Sequence, residues 1–198
     1  MPINFLGDLA EEKLGIPERE IREIADAAFH EDPYSLKEVA ALLDRSPVEI
    51  AAAFCLRRNG SIFPEPPGGF KLFQRYRHVI DEGRRVERAL LAMRKSDLQG
   101  LGDLMNDSHR SCRDLYEISC PELDTLVDIA RGAGAIGSRL TGAGFGGCAI
   151  SMLRTNDMER FTERVIEKYY RAHLRLDRKD YSSILFACQP ANGAEVLF

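Results

Sequence analysis

Two stretches of the chain carry residue types whose spacing could do chemistry. The first is Thr141-Gly142-Ala143-Gly144-Phe145-Gly146-Gly147, with four glycines among residues 142–147. Inside a helix or strand each glycine costs about 1 kcal/mol against alanine, so the segment reads as a loop with unusual dihedrals or a close approach. Backbone N–H groups without Cβ atoms are what an anion-binding nest requires, which makes phosphate the candidate ligand class. A tight hairpin bend uses glycines equally well, and composition leaves both readings open. Gly142, Gly144 and Gly147 satisfy G-x-G-x-x-G, but a dinucleotide turn needs a helix opening directly after its glycines. Here an apolar run of strand length, residues 148–153, follows instead. No Gly-Lys-Ser/Thr follows either, so the loop is not a nucleotide-binding P-loop.

The second stretch is Ser108-His109-Arg110-Ser111-Cys112-Arg113-Asp114. A Ser-His or Cys-His nucleophile needs a base within hydrogen-bond reach and a third group that orients it. Residues one or three apart on a helix do not supply that geometry by spacing alone, and the sequence marks no second His or carboxylate as orienter. The stretch therefore reads as a polar helix face that packs and hydrogen-bonds against the glycine loop or another domain. His30, His78 and His173 lack metal-ligand spacing, so no metal site is expected.

The elements that must position these stretches follow from periodicity. Tyr76, Val79, Ile80, Gly83, Val86, Leu90 and Met93 keep helical period, with charged residues interleaved. Asp97 opens a second helix with Leu101, Leu104, Met105, Ser108, Cys112 and Leu115 inward. Pro121 starts a third that ends at Gly132, and Thr155-Asn156-Asp157 caps a fourth whose Met158, Phe161, Val165, Tyr169 and Ala172 share a face. Strands are expected at residues 138–141, 148–153, 183–188 and 195–198, the last two joined by the turn Asn192-Gly193. Four antiparallel strands backed by helices make an α+β fold.

Ahead of this lobe, Ile16-Pro17-Glu18 reads as a helix start, with Ile21, Ile24, Ala25 and Ala28 on one face. Ser35-Leu36-Lys37-Glu38 and Ser46-Pro47-Val48-Glu49 both have capping-box spacing and open residues 36–43 and 48–58. Two short helices joined at Asp44-Arg45 resemble a helix-turn-helix, but Pro47-Val48-Glu49-Ile50-Ala51-Ala52-Ala53 is too apolar and acidic to read base edges. Residues 62–70, rich in Pro and Gly, form a linker. The expected division is 1–70 as helical lead-in and linker, and 71–198 as the core lobe.

The wording around the glycine loop is more specific than its glycines. Ser138-Arg139-Leu140-Thr141-Gly142-Ala143-Gly144-Phe145-Gly146-Gly147-Cys148 resembles the third motif of the galactokinases, members of the GHMP family of small-molecule kinases. Arg77-His78-Val79, the segment from Leu104 to Glu117, and Ser119-Cys120-Pro121-Glu122-Leu123-Asp124 resemble galactokinase wording in the same order, so the resemblance covers roughly residues 71–198. It implies a ferredoxin-like GHMP-kinase C-terminal domain, and a place for the third motif beside the phosphate loop, near the transferred group. It also implies ATP and Mg²⁺ as cofactors and galactose or a related monosaccharide as acceptor, phosphorylated at its anomeric hydroxyl. The family's sugar-holding segment and Ser-rich phosphate loop have no counterpart in these 198 residues. No catalytic, sugar-binding or metal residue is therefore carried over, and the chain is expected to be the C-terminal part of such a kinase, inactive alone, with an N-terminal kinase domain as partner. Ala143 stands where the family usually has Gly, which adds a Cβ to the loop.

With 27 Lys and Arg against 31 Asp and Glu, the net charge is −4 and the pI about 5.7. That balance argues against a nucleic-acid or anionic-membrane surface. No run is apolar for long enough to span a bilayer, and five cysteines without C-x-x-C spacing fit reduced thiols in the cytoplasm. Two rivals remain: a non-catalytic binding or regulatory module built on a kinase lobe, and the helix-turn-helix DNA binder. A docking half-enzyme should expose an apolar face, whereas a stand-alone module should present a sealed polar one.

Overall fold

The computed structural model describes residues 11–189. They form two compact units: residues up to 95 together with Arg110–Glu117, and Ser96–His109 together with the described residues from 118 onward.

The first unit is helical. After α1 (Glu11–Leu14), α2 spans Glu18–Ala28 behind Pro17, and it buries Ile21 and Ala25 but leaves Ile24 exposed, against the expectation of one shared inner face. Helices α3 (Leu36–Leu42) and α4 (Pro47–Phe54) pack as a hairpin. Ser46 and Glu49 complete a capping box on α4. On α3 the box is half made: Ser35 Oγ accepts the Glu38 N–H at 3.1 Å, while the Glu38 carboxylate turns to His30 Nε2 at 2.7 Å. The linker is not helical, as expected, and bridges Leu56 to Ile62 and Tyr34 to Phe70 pin both its ends.

Helix α5 (Leu72–Arg94) then runs for 23 residues. Its early turns are buried at Tyr76 and His78, whereas Val86, Leu90 and Met93, expected on the inner face, are exposed. The apolar period is there, but the second half of the helix buries Ala92 and not these larger side chains.

The second unit holds the loop. Helix α6 (Leu98–Asp114) starts behind Asp97, whose Oδ1 accepts the Gly100 N–H at 2.8 Å. It contributes its residues up to His109 to this unit and those from Arg110 to the first, and Leu104, Ser108 and Cys112 are buried as expected. Helix α7 (Pro121–Ala133) carries Pro at its first turn and closes on Gly134 in the left-handed region. Strands β1 (Gly137–Thr141) and β2 (Cys148–Met152) pair antiparallel with Leu140 opposite Ala149 and Thr141 opposite Cys148. Helix α8 (Met158–Val165) continues into a wider π-helical segment, Ile166–His173. Ala130, Ala133, Phe161, Val165, Tyr169, Tyr170 and Tyr181 make the core, where burial pushes the Tyr169 and Tyr170 phenols up.

The architecture is α+β, with a two-stranded sheet among the described residues. The strand expected at 183–188 is not formed. Tyr181 O accepts the amides of both Ile184 and Leu185, which winds the chain into a turn and sets Ile184 against the core. The turn and strand expected at 192–198 lie outside the described residues.

Candidate functional site

The glycine loop leaves β1 at Thr141 and re-enters the sheet at Cys148, strand to strand as its flanks imply. Its backbone is left-handed at Gly142 (φ +83°), Gly144 (+81°), Phe145 (+58°), Gly146 (+123°) and Gly147 (+91°). L-residues reach that region at a cost, which is why glycine fills four of the five positions. A Cβ on Gly144 would overlap the Ile118 carbonyl, so this glycine is also required by close approach. Ala143 has no left-handed φ and its side chain is exposed, so the Cβ that departs from the galactokinase wording sits where the loop accepts one.

One loop amide is tied down: Phe145 N–H donates to Ile118 O at 2.6 Å. Among the described residues the amides of Gly142, Ala143, Gly144, Gly146 and Gly147 have no backbone acceptor outside the ladder of β1 and β2. Residues 141–148 line a shallow concavity of about 530 Å³. A Cβ built on Gly142, Gly146 or Gly147 would meet nothing within 4 Å, so space stands open around these groups. Free N–H groups around an open concavity can hold the oxygens of an anion, phosphate above all. The ring of Phe145 is 74% exposed at the loop's tip.

Helix α6 fixes β1 from the edge that β2 does not use. Asn106 Oδ1 accepts the Ser138 N–H at 3.0 Å, and His109 Nδ1 accepts the Leu140 N–H at 3.3 Å. The two side chains, three apart on one helix face, thus satisfy alternate amides of a strand edge that would otherwise be orphaned in the interior. Ser138 is fully buried and its hydroxyl meets Ser151 Oγ at 2.9 Å. His109 Nε2 lies 3.2 Å from Asp124 Oδ1, which also accepts the Ser119 hydroxyl at 2.6 Å.

The polar stretch 108–114 therefore divides. His109 serves the strand that feeds the loop, which matches the packing role expected for this face. The carboxylate beside its other nitrogen is Asp124, in the first turn of α7, a neighbour no spacing argument marked. Ser111 belongs to the other unit, where its hydroxyl meets His78 Nδ1 at 2.9 Å. A Ser-His pair has formed, yet Ser111 is 4% and His78 7% exposed. A nucleophile so enclosed meets no substrate, and the pair braces two helices instead. Burial pushes the His78 imidazole below its usual range, and the ring stacks on Tyr116 at 4.3 Å. Glu117, next along, pairs with Lys71 and Arg75, which hold its carboxyl below the usual range.

Sequence reasoning found the loop and the helix face but missed Asn106, Ile118 and Asp124. The first could have been read from its place one turn before His109. The other two are brought to the loop by tertiary folding alone.

Residues 89–171 match the family described as GHMP kinases C terminal. Over these residues the chain is similar to the GHMP-kinase C-terminal domain. Its relatives within that class are galactokinases: it is 41% identical over 126 residues to the galactokinase of Bos taurus, covering 63% of this chain and 30% of that one. It is 35% identical over 173 residues to that of Roseiflexus sp. (strain RS-1), covering 87% and 40%, and 45% identical over 123 residues to that of Clostridium acetobutylicum, covering 62% and 30%. It matches the C-terminal part of these relatives and spans about 30 to 40% of their length. Among solved structures, Lactococcus lactis galactokinase complexed with galactose is 40% identical, with a TM-score of 0.48 over 51% of this chain and 26% of that one.

Proposed function

We propose that this chain is the C-terminal part of a galactokinase-like phosphotransferase, in which residues 71–198 form the C-terminal domain and the 141–147 loop presents backbone amides to the phosphates beside the transferred group. The observation that carries this reading is the loop's backbone, which is left-handed at five positions and bounds an open concavity. Phosphoryl transfer makes little covalent demand on the protein, so preorganised donors aimed at phosphate oxygens are what a kinase lobe must supply. Fixed N–H dipoles do this without reorganising as charge moves toward the leaving oxygen.

ATP is the donor, and galactose or a related monosaccharide accepts at its anomeric hydroxyl. Mg²⁺ enters with ATP and neutralises phosphate charge. Among the described residues no group of three or more His, Cys, Asp or Glu gathers as a metal site, and no ligand to it is assigned to this chain. No carboxylate here is assigned to deprotonate the acceptor, so the 198 residues alone are expected to turn over sugar negligibly. The work is placed in the cytoplasm, with the cysteines reduced.

The first unit favours this reading over a stand-alone module. Leu42, Val48, Phe54 and Leu56 of the α3 and α4 region are all more than half exposed, with Val48 at 78%. Exposed apolar side chains in such number fit a surface that docks another domain better than a sealed polar face. On α4 they also leave no cation for a DNA backbone.

The test is reconstitution. The chain is mixed with the N-terminal part of a galactokinase relative, and ADP release with galactose is followed. Turnover that needs both pieces and falls in a Gly146→Val variant supports the reading. Calorimetry showing that the two pieces never associate would count against it.

A further inference from the structure

We propose that Ser119, Asp124 and His109 form a positioning relay that holds the 141–147 loop in its phosphate-binding shape from two points at once. This rests on the reading of that loop as a phosphate cradle. His109 is 3% exposed, and Nδ1 accepts the Leu140 N–H, which puts the ring proton on Nε2. Nε2 lies 3.2 Å from Asp124 Oδ1, within ion-pair distance but outside hydrogen-bond alignment, so the carboxylate acts on the ring through its charge. The same oxygen accepts the Ser119 hydroxyl at 2.6 Å, and Ser119 follows Ile118, whose carbonyl accepts the Phe145 N–H at 2.6 Å.

The contacts close a circuit. Leu140, one residue before the loop, and Phe145, in its middle, are both tied to the segment that leads into α7. Displacing Asp124 moves the loop by two routes, through the imidazole to its entry and through residues 118–119 to its middle. None of the three side chains reaches into the concavity, so they act on phosphate only through the backbone. Amides held in place before the ligand arrives bind it without an ordering cost, which is what a positioning shell contributes.

The test uses the full chain, titrated calorimetrically with inorganic tripolyphosphate, together with amide ¹⁵N spectra of Gly142, Gly144, Gly146 and Gly147. In His109→Leu the Leu140 N–H loses its acceptor, and affinity is expected to fall about tenfold, the equivalent of one unmet buried donor. The four glycine resonances should move with it. His109→Asn, whose carboxamide oxygen can accept the same N–H, should recover most of the affinity, and the wild-type imidazole ¹⁵N spectrum should report a neutral Nε2–H ring. Asp124→Ala and Ser119→Ala, at less buried positions, decide the matter if His109→Leu fails to fold. Folded variants with unmoved glycine resonances and unchanged affinity would overturn the relay. A wild-type chain that ignores tripolyphosphate would overturn the phosphate reading instead, and the glycine resonances of the variants would still judge the relay.

Discussion

Gly102 on α6 and Gly137 on β1 meet backbone to backbone. A Cβ on Gly102 would stand 2.5 Å from Ile136 O, and one on Gly137 would stand 2.6 Å from the Gly102 Cα. This contact lets α6 lie close enough for Asn106 and His109 to reach the edge of β1. Gly102→Ala is therefore expected to lower the unfolding free energy by about 1–3 kcal/mol through overpacking, despite the better helix propensity of alanine. Gly132→Ala, on α7 with nothing within 4 Å of the added atom, is the control. It should be neutral or stabilise by about 0.4–1 kcal/mol. Urea unfolding midpoints of the two variants make the comparison, and equal midpoints would refute the close contact.

The loop's glycines should separate by what each is needed for. Gly146 has φ +123° and open space, so Gly146→Ala strains only the backbone. The expected result is loss of tripolyphosphate binding with a small change in melting temperature. Gly144→Ala must also push Ile118 aside and should melt lower still. Ala143→Gly, at a position already compatible with a side chain, should change neither readout by much. Thermal melts and calorimetry on the three variants give the order.

How much of this was legible beforehand depended on the range of the interactions. The strand-to-strand loop, the presence of four helices from residue 72 onward and the buried row Leu104, Ser108, Cys112 are local patterns, and the sequence carried them, although Met158 and Ala172 of the fourth helix's expected face are exposed. Ile24, Val86, Leu90 and Met93 were misplaced because an apolar period says which side chains share a face, not whether a partner covers that face. The run 183–188 has strand composition, yet two local bonds to Tyr181 O wind it into a turn, an outcome that a short apolar signal does not exclude. Asp124 reaches His109 across fifteen positions, and no period joins them. The capping box at Ser35 failed for a similar reason, since His30 competes for Glu38.

His78 makes stability depend on pH. Its imidazole is buried against Tyr116 and Ser111, and burial lowers its affinity for protons below the ordinary value of 6.5. The unfolded chain then binds the proton more tightly. The stability that His78 contributes is present above pH 6.5 and is lost as pH falls from there through the lower folded-state value. His30 has the opposite shift, raised by its hydrogen bond to Glu38, but its exposed setting keeps that contribution small. Unfolding midpoints measured from pH 7.5 down to about 5 should fall for the wild type and fall less steeply for His78→Gln. Parallel curves for the two proteins would exclude His78 as the source.

Phe145 allows backbone and side chain to be told apart. Its ring is largely exposed, its φ of +58° is left-handed, and its amide is bonded to Ile118 O. The exposed ring adds little to folding, so substitutions should be ranked by how readily each residue enters the left-handed region. Asn visits it readily, whereas a β-branched residue resists it. Phe145→Asn should therefore melt at or slightly above the wild type, and Phe145→Val should lose about 1 kcal/mol or more. All of them keep the N–H that bonds Ile118, so the difference between Asn and Val isolates the dihedral. If both variants melt alike, the left-handed geometry at the loop's tip is wrong, and the convergence of the neighbouring amides loses its basis with it.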